Sequence, residues 1–275
     1  MTEMKSTALI RDWPAENAAA AVIAADGTVL GADGGQRRRF PLASVTKLLT
    51  AYAFQVALEE EAVALDDPAG PPGSTVSHLL AHTGGYDFGD RTVRYEPGTR
   101  RLYSNAGFEV LAEALEEATG IAFADYLREA VLAPLGMADT TLDGSPAAGA
   151  VSTAEDLIRF AAELQAPRLI SPGSLAAATT VAYPGLAGIL PGFGRQKEND
   201  WGLGFEIRGS KSPHWTGSTN SPRTFGHFGQ SGTFLWVDPD LQAAAVVLTD
   251  RDFGPWAAEA WPVFNDALVA ELRRN

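Results

Sequence analysis

The stretch Ser44-Val45-Thr46-Lys47 places a hydroxyl and an amine three residues apart, at the start of a helical pattern. Three residues are about one helical turn, so both side chains project from the same face of the helix. An adjacent amine can take the proton of a serine hydroxyl and so make that serine a nucleophile. With 14 serines and four lysines in the chain, chance supplies about 0.2 such pairs. The interpretation of this pair therefore depends on the motifs around it.

The composition excludes several classes of function. A hydrophobic fraction of 45% with 20% charged residues is typical of a globular protein, and a net charge of −13 disfavours nucleic acids and anionic membranes as partners. The absence of cysteine excludes disulfides, thiolate zinc sites and thiol nucleophiles. Arg11 and Asp12 interrupt the first apolar run, and no run is long enough for a membrane span. We therefore expect a cytoplasmic protein.

The two ends of the chain carry strand patterns. Residues 19–25 and 28–30 flank Asp26-Gly27, a pair typical of a tight hairpin turn. Strands are also predicted over residues 201–207, 233–237 and 243–249, and a last helix is predicted around Pro262.

The middle of the chain carries helical patterns. Apolar residues recur at helical spacing from residue 44 to about residue 60. Further helices are predicted over residues 76–82, 106–118, 123–132 and 154–164, and residues 183–193 are predicted to form a loop. The pattern predicts an α/β (α+β) fold in one domain, residues 1–275. An antiparallel sheet lobe with flanking helices covers about residues 1–60 and 200–275, and an inserted, mainly helical lobe covers about residues 61–199.

The second motif is Tyr103-Ser104-Asn105, immediately before a predicted helix. It offers a phenol for proton transfer and an amide for a substrate carbonyl. A tyrosine before a helix is more often a packing residue whose hydroxyl is hydrogen-bonded.

The third motif is the glycine-rich run from Gly226 to Gly232, immediately before a predicted strand. A dinucleotide-binding loop would follow a strand and open a helix, so this position excludes one. A nucleophile elbow needs Gly-x-Ser-x-Gly, and the glycines around Ser231 fall at 229 and 232, which is the wrong spacing. Glycines here allow backbone N–H groups to approach a ligand closely.

Together these segments resemble the serine β-lactamase and penicillin-binding protein superfamily, in particular its class C type branch, which also holds carboxylesterases and D-amino-acid peptidases. The resemblance runs from about residue 18 to the C-terminus. It rests on Ser44-x-x-Lys47, Tyr103-Ser-Asn105 and His227-x-Gly229, with supporting matches at His78-Leu-Leu-Ala-His-Thr-Gly-Gly85, Pro97-Gly-Thr-Arg-Arg-Leu-Tyr-Ser-Asn105, Ala133-Pro-Leu-Gly-Met137 and Ser152-Thr-Ala-Glu-Asp-Leu157.

The resemblance implies a β-lactamase/transpeptidase-like fold and a role for each matching residue. Ser44 is the acylated nucleophile, and Lys47 and Tyr103 share its proton, with the lysine cation favouring a tyrosinate that acts as base. The oxyanion hole is formed by the backbone N–H groups of Ser44 and Gln230. The remaining site residues are Asn105, which orients the substrate carbonyl, and the third-motif residues His227 and Gly229.

The third motif departs from the Lys-Thr-Gly usual in β-lactamases, because His227 and Phe228 replace the lysine and the threonine. A fixed cation and a hydroxyl for a substrate carboxylate are thereby lost. The predicted function is a carboxylesterase that acts on small esters. One alternative is an amide-directed enzyme, namely a D-aminopeptidase, a D,D-peptidase or a weak β-lactamase. The other is a non-catalytic binding protein that retains the motifs. In either enzyme the partner is a small-molecule ester or amide.

No metal and no cofactor are expected. His78 and His82 have a helical spacing that suits zinc, but no glutamate follows His78 and no third ligand is evident, so a structural role is preferred. The run from Arg37 to Arg39 steers an anionic substrate or is simply a solvated loop. Three tryptophans line an acyl pocket or pack in the core, namely Trp201, Trp215 and Trp236.

Overall fold

A computed structural model describes residues 4–274. The first three residues and Asn275, which the predicted sheet lobe includes, lie outside the described residues. Within residues 4–274, no helix is both long enough and apolar enough to cross a membrane.

The largest sheet has six strands in the order β2-β1-β11-β10-β9-β8, and every neighbouring pair is antiparallel. The predicted antiparallel sheet is therefore confirmed. Two smaller sheets are formed by β3, β5 and β4, and by β6 and β7. In chain order the strands are β1 (Ala18–Ala24), β2 (Val29–Gly34), β3 (Phe40–Pro41), β4 (Thr141–Leu142), β5 (Ala150–Ser152), β6 (Gly188–Leu190), β7 (Gly194–Gln196), β8 (Glu206–Ile207), β9 (Phe225–Gly229), β10 (Thr233–Asp238) and β11 (Ala243–Thr249).

Helices cover both faces of the six-stranded sheet. In chain order they are α1 (Thr46–Glu59), α2 (Val76–Leu80), α3 (Asn105–Thr119), α4 (Phe123–Leu127), α5 (Ala154–Glu163), α6 (Pro172–Ala178) and α7 (Pro255–Leu272). Short 3₁₀ turns form over Ser6–Asp12 and Ala43–Val45, and a π-helical turn over Arg128–Leu132 continues α4. Pro262 lies inside α7 rather than at its start.

Strand β10 has four consecutive apolar residues, at positions 234–237, because both of its faces are buried. Leu235 and Val237 point into the core shared with α1, whereas Phe234 and Trp236 point into the core shared with α7. Because both faces of the sheet are covered, every residue of β10 is buried. The alternation of side chains across a strand therefore distributes residues between two apolar cores.

Two sequence-based assignments are wrong. The predicted strand over residues 201–207 shrinks to β8, because Gly204 has a left-handed φ of 92° that breaks the extended chain. The predicted loop over residues 183–193 contains β6, which pairs with β7. The glycine-rich run leads into β10 at Thr233, as predicted, and its first part is itself strand β9.

Candidate active site

Ser44 sits in a sharp turn between β3 and α1. Ala43 has a left-handed φ of 45°, and Ser44 follows in the 3₁₀ turn that leads into α1. Two hydroxyls fasten this turn to the sheet: Ser231 Oγ donates to Pro41 O at 2.7 Å, and Thr233 Oγ1 donates to Leu42 O at 2.9 Å. The helix therefore starts at Thr46 rather than at the predicted Ser44, and the turn holds the serine at the edge of the sheet.

Lys47 lies directly behind the serine and is completely buried. Its Nζ lies 3.3 Å from Ser44 Oγ and donates to Asn105 Oδ1 at 2.6 Å and to Ala147 O at 2.9 Å. Burial lowers the pKa of Lys47 well below the ordinary lysine value. No carboxylate forms an ion pair with Lys47 among residues 4–274.

Tyr103 approaches the same serine from the other side, and its hydroxyl donates to Ser44 Oγ at 2.8 Å. Lys47 Nζ lies over the face of the tyrosine ring, 4.7 Å from its centroid, rather than beside the phenol oxygen. Burial raises the pKa of Tyr103 above its ordinary value. Burial thus favours the uncharged form of both groups over the expected pair of lysine cation and tyrosinate.

Asn105 is the first residue of α3, whose N-cap Ser104 accepts a hydrogen bond from Gly107 N at 3.1 Å. Its side-chain oxygen is used by Lys47, and its Nδ2 group makes no hydrogen bond to the described residues. The amide N–H₂ therefore stays available for a ligand.

Strand β9 brings the third motif against the serine turn. A Cβ built on Gly229 would lie 2.3 Å from Leu42 O, so only glycine allows this approach. The backbone N–H groups of Ser44 and Gln230 donate to no acceptor among residues 4–274. The arrangement brings together the two donors that an oxyanion hole requires.

His227 is a neutral acceptor rather than a cation. Its Nδ1 lies 2.6 Å from Phe228 O, and since a carbonyl only accepts, Nδ1 carries the proton. Burial lowers the pKa of His227 to about 3. The Nε2 atom is therefore unprotonated, and it has no partner among the described residues.

A cavity of about 70 Å³ opens beside the serine. Four predicted site residues line it, namely Ser44, Tyr103, His227 and Gln230, together with Phe88, Leu190, Pro191, Trp201, Glu206 and Phe228. The other predicted site residues, Lys47, Asn105 and Gly229, do not line this cavity. Trp201 is thus the one of the three tryptophans that lines the cavity, whereas Trp215 and Trp236 pack in the core around α7.

Glu206 is a site residue that sequence reasoning missed. Its carboxylate accepts from Lys211 Nζ and lies beside His214 Nε2, both at 2.9 Å, and accepts from Trp215 Nε1 at 2.6 Å. Burial raises the pKa of Glu206, but Lys211 and His214 outweigh this and hold it well below the ordinary value. The sequence did carry a signal for this residue, because Glu206 is the one acidic residue in the predicted strand over residues 201–207.

The structure gives His78 and His82 separate roles. His78 Nδ1 accepts from Thr75 N at 3.2 Å in the cap of α2. His82 holds the segment around Tyr103: Leu102 N donates to His82 O at 2.9 Å, and Ser104 N donates to His82 Nδ1 at 3.2 Å. Its ring also packs against Tyr103 with centroids 4.6 Å apart. No group of three or more His, Asp or Glu residues in the described chain could hold a metal ion.

The fold and this site define a serine hydrolase of the β-lactamase and penicillin-binding protein type. The comparisons with known proteins agree. The chain belongs to the β-lactamase family, because the family model described as Beta-lactamase matches residues 7–269.

Three individual proteins are similar to this chain in sequence or in structure. A β-lactamase structure from Mycobacterium bovis is 57% identical, covers 98% of this chain and 99% of its own, and has a TM-score of 0.96. The D-alanyl-D-alanine-carboxypeptidase/endopeptidase AmpH of Escherichia coli is 31% identical over 38% of this chain, and the match spans only 37% of AmpH. EstCE1, a hydrolase with promiscuous acyltransferase activity, shares the fold with a TM-score of 0.78, at 18% identity over 96% of each chain.

Proposed function

We propose that the protein hydrolyses small, uncharged carboxylic esters through an acyl-enzyme on Ser44. The observation that carries the proposal is the double contact of Ser44 Oγ, 3.3 Å from a buried lysine amine and 2.8 Å from a tyrosine hydroxyl. This is the arrangement of a nucleophile with its proton acceptor and donor.

The hydrogen bonds of Lys47 support its role as the proton acceptor. A neutral amine has two hydrogens and one lone pair, and Asn105 Oδ1 and Ala147 O take the two hydrogens. The lone pair then faces Ser44 Oγ. Because burial lowers the pKa of Lys47, the amine is prepared to accept the serine proton at a pH where an exposed lysine would be charged.

In the proposed reaction Ser44 Oγ attacks the ester carbonyl carbon while its proton passes to Lys47. The backbone N–H groups of Ser44 and Gln230 stabilise the oxyanion, and the Nδ2 group of Asn105 orients the substrate. The bond to the leaving oxygen breaks as that oxygen takes a proton from the Lys47–Tyr103 pair. Water then attacks the acyl group with the same pair as proton acceptor, which releases the acid and free Ser44.

The charges around the cavity favour uncharged esters over substrates with a carboxylate beside the scissile bond. His227 is neutral where the β-lactamases have a lysine. Lys211 is used by Glu206 and by the carbonyls of Asp200 and Ile207. The buried guanidinium of Arg101 donates to four backbone carbonyls. Since D,D-peptidase and β-lactam substrates carry such a carboxylate, these two forms of the amide-directed alternative are disfavoured, and the D-aminopeptidase remains the second candidate.

The test compares Ser44→Ala with Ser210→Ala, an exposed serine outside the site. We expect p-nitrophenyl acetate and butyrate hydrolysis, and covalent labelling by a fluorophosphonate, to disappear only in Ser44→Ala. Full turnover by Ser44→Ala would refute the proposal. Faster turnover of nitrocefin or a D-amino-acid anilide than of the esters would favour the amide-directed alternative. Absence of both labelling and turnover in the unaltered protein would favour a binding protein.

A further inference from the structure

Phe88 is an exposed aromatic residue that lines the same cavity as Ser44. It is 54% exposed, although the residue beside it in the cavity, Tyr103, is buried. A single exposed aromatic residue needs no explanation by itself. The position in which Phe88 is held does need one, because neither the sequence motifs nor the proposed reaction uses this residue.

The loop that carries Phe88 is fastened to the second motif. Asn105 N donates to Phe88 O at 2.7 Å, and Ser104 Oγ donates to Asp87 O at 2.6 Å. The side chain of Asp87 in turn accepts from Phe88 N and from Arg94 Nε, both at 2.7 Å. The backbone of Phe88 is therefore held by the residues that cap and begin α3.

The ring of Phe88 stacks on the ring of Tyr103. The two centroids lie 5.8 Å apart and the ring planes are 26° apart, which is within the range of offset stacking. No other aromatic ring within residues 4–274 contacts Phe88. The part of the Phe88 ring that faces away from Tyr103 is therefore available to a ligand.

The lining of the cavity has an enclosed part and an open part. Trp201, His227 and Phe228 are buried, whereas Phe88 and Pro191 are exposed and so mark the mouth. The volume of about 70 Å³ is far below the roughly 300 to 1,000 Å³ of pockets that enclose a whole ligand. Only a small part of an ester fits inside, so a larger group of the substrate has to lie at the mouth.

We infer that Phe88 is a specificity-determining residue that binds an aromatic ring of the ester substrate at the mouth of the cavity. The inference deepens the proposed esterase function and rests on it. An aromatic group gains over an aliphatic group of similar size, because ring pairs stabilise a complex beyond the burial of apolar area. The fixed backbone of Phe88 reduces the entropy that is lost when the substrate binds.

The experiment uses two matched pairs of esters. Benzyl acetate and cyclohexylmethyl acetate carry the ring on the alcohol, whereas methyl phenylacetate and methyl cyclohexylacetate carry it on the acyl group. We expect the unaltered protein to prefer the aromatic member of at least one pair by about threefold to tenfold in kcat/KM. The pair that shows the preference identifies the part of the substrate that lies against Phe88.

The variant Phe88→Leu keeps an apolar side chain and removes the ring. It should abolish the preference, mainly through a higher KM for the aromatic ester, and leave kcat/KM for the aliphatic ester within about threefold. Phe88→Tyr retains the ring and should retain the preference. Tyr95→Leu is the matched control, because Tyr95 is also a half-exposed aromatic residue but does not line the cavity. It should leave the preference unchanged.

Equal turnover of both members of both pairs by the unaltered protein, or a preference that survives in Phe88→Leu, would overturn the inference. An equal fall for both members of a pair in Phe88→Leu would overturn it as well, because the ring would then act only by supporting Tyr103.

Failure of the unaltered protein to hydrolyse any of the four esters would count against the esterase function. Calorimetric binding of phenylacetamide and cyclohexylacetamide tests the ring contact without turnover. Tighter binding of phenylacetamide that is lost in Phe88→Leu would support the inference, and equal binding of the two amides would overturn it.

Discussion

Replacement of Gly229 by alanine is the most direct test of how β9 serves the active site. The new Cβ would lie 2.3 Å from Leu42 O, 2.5 Å from Thr233 Oγ1 and 3.2 Å from Ala43 Cβ. The first of these contacts is to the backbone of the turn that precedes Ser44, so a side-chain rotation cannot relieve it. The strand and the turn must instead separate by about 1 Å to restore ordinary contact distances.

That separation would act on the proposed oxyanion hole, because the N–H groups of Ser44 and Gln230 lie on opposite sides of the contact. Misplacement of a reacting group by about 1 Å can cost about 10²-fold in rate, and loss of one oxyanion donor costs about 10²- to 10³-fold. We therefore expect Gly229→Ala to lower kcat for p-nitrophenyl acetate by about two orders of magnitude. Overpacking should also lower the free energy of unfolding by about 1 to 3 kcal/mol.

The assay combines steady-state kinetics with the rate of fluorophosphonate labelling and with urea unfolding. Gly35→Ala is the control, because its Cβ would meet only Arg38 Cβ at an ordinary 3.5 Å. The control should keep both activity and stability. If a folded Gly229→Ala protein retained kcat within about threefold, β9 would not position an oxyanion donor and the reasoning would be refuted.

Three further predictions concern the surrounding groups. The kcat/KM for esters should rise with pH and reach its plateau below the ordinary lysine pKa of about 10.4, because protonation of Lys47 on the acid side removes the proton acceptor. The variant Lys47→Arg should be inactive at every pH tested, and activity in that variant would exclude lysine as the base. His82→Ala should lower kcat about tenfold with little change in KM, because the ring that packs against Tyr103 and the acceptor for Ser104 N are both removed. His82→Asn, whose carbonyl can accept from Ser104 N, should retain more activity. Equal losses in the two variants would indicate a merely structural histidine. Glu206→Gln should lower the free energy of unfolding by about 3 to 5 kcal/mol, because Lys211 would remain buried without its carboxylate partner. An unchanged midpoint of urea unfolding would show that the cluster of Glu206, Lys211 and His214 does not stabilise the fold.

The protonation states of the site were not predictable from the motifs. The spacing of Ser44 and Lys47 indicates that the two side chains meet, but not whether the amine is charged. That depends on the completeness of burial, which α3, the 145–150 segment and the sheet create together. The same holds for Tyr103, because the desolvation that raises its pKa comes from residues distant in the chain.

The ion cluster around Glu206 was likewise not predictable from local sequence patterns. Glu206, Lys211 and His214 are close in sequence, yet they meet only because the chain between β8 and β9 folds back on itself.

The sequence by itself determined the hairpin, the main helices, the antiparallel sheet and the residue types around Ser44, because local spacing encodes which side chains share a face or a turn. Tertiary structure alone decided the burial that shifts the pKa values of Lys47, Tyr103 and His227, and the cavity beside Ser44. Those properties depend on burial and on contacts between segments distant in the chain, which no local pattern records.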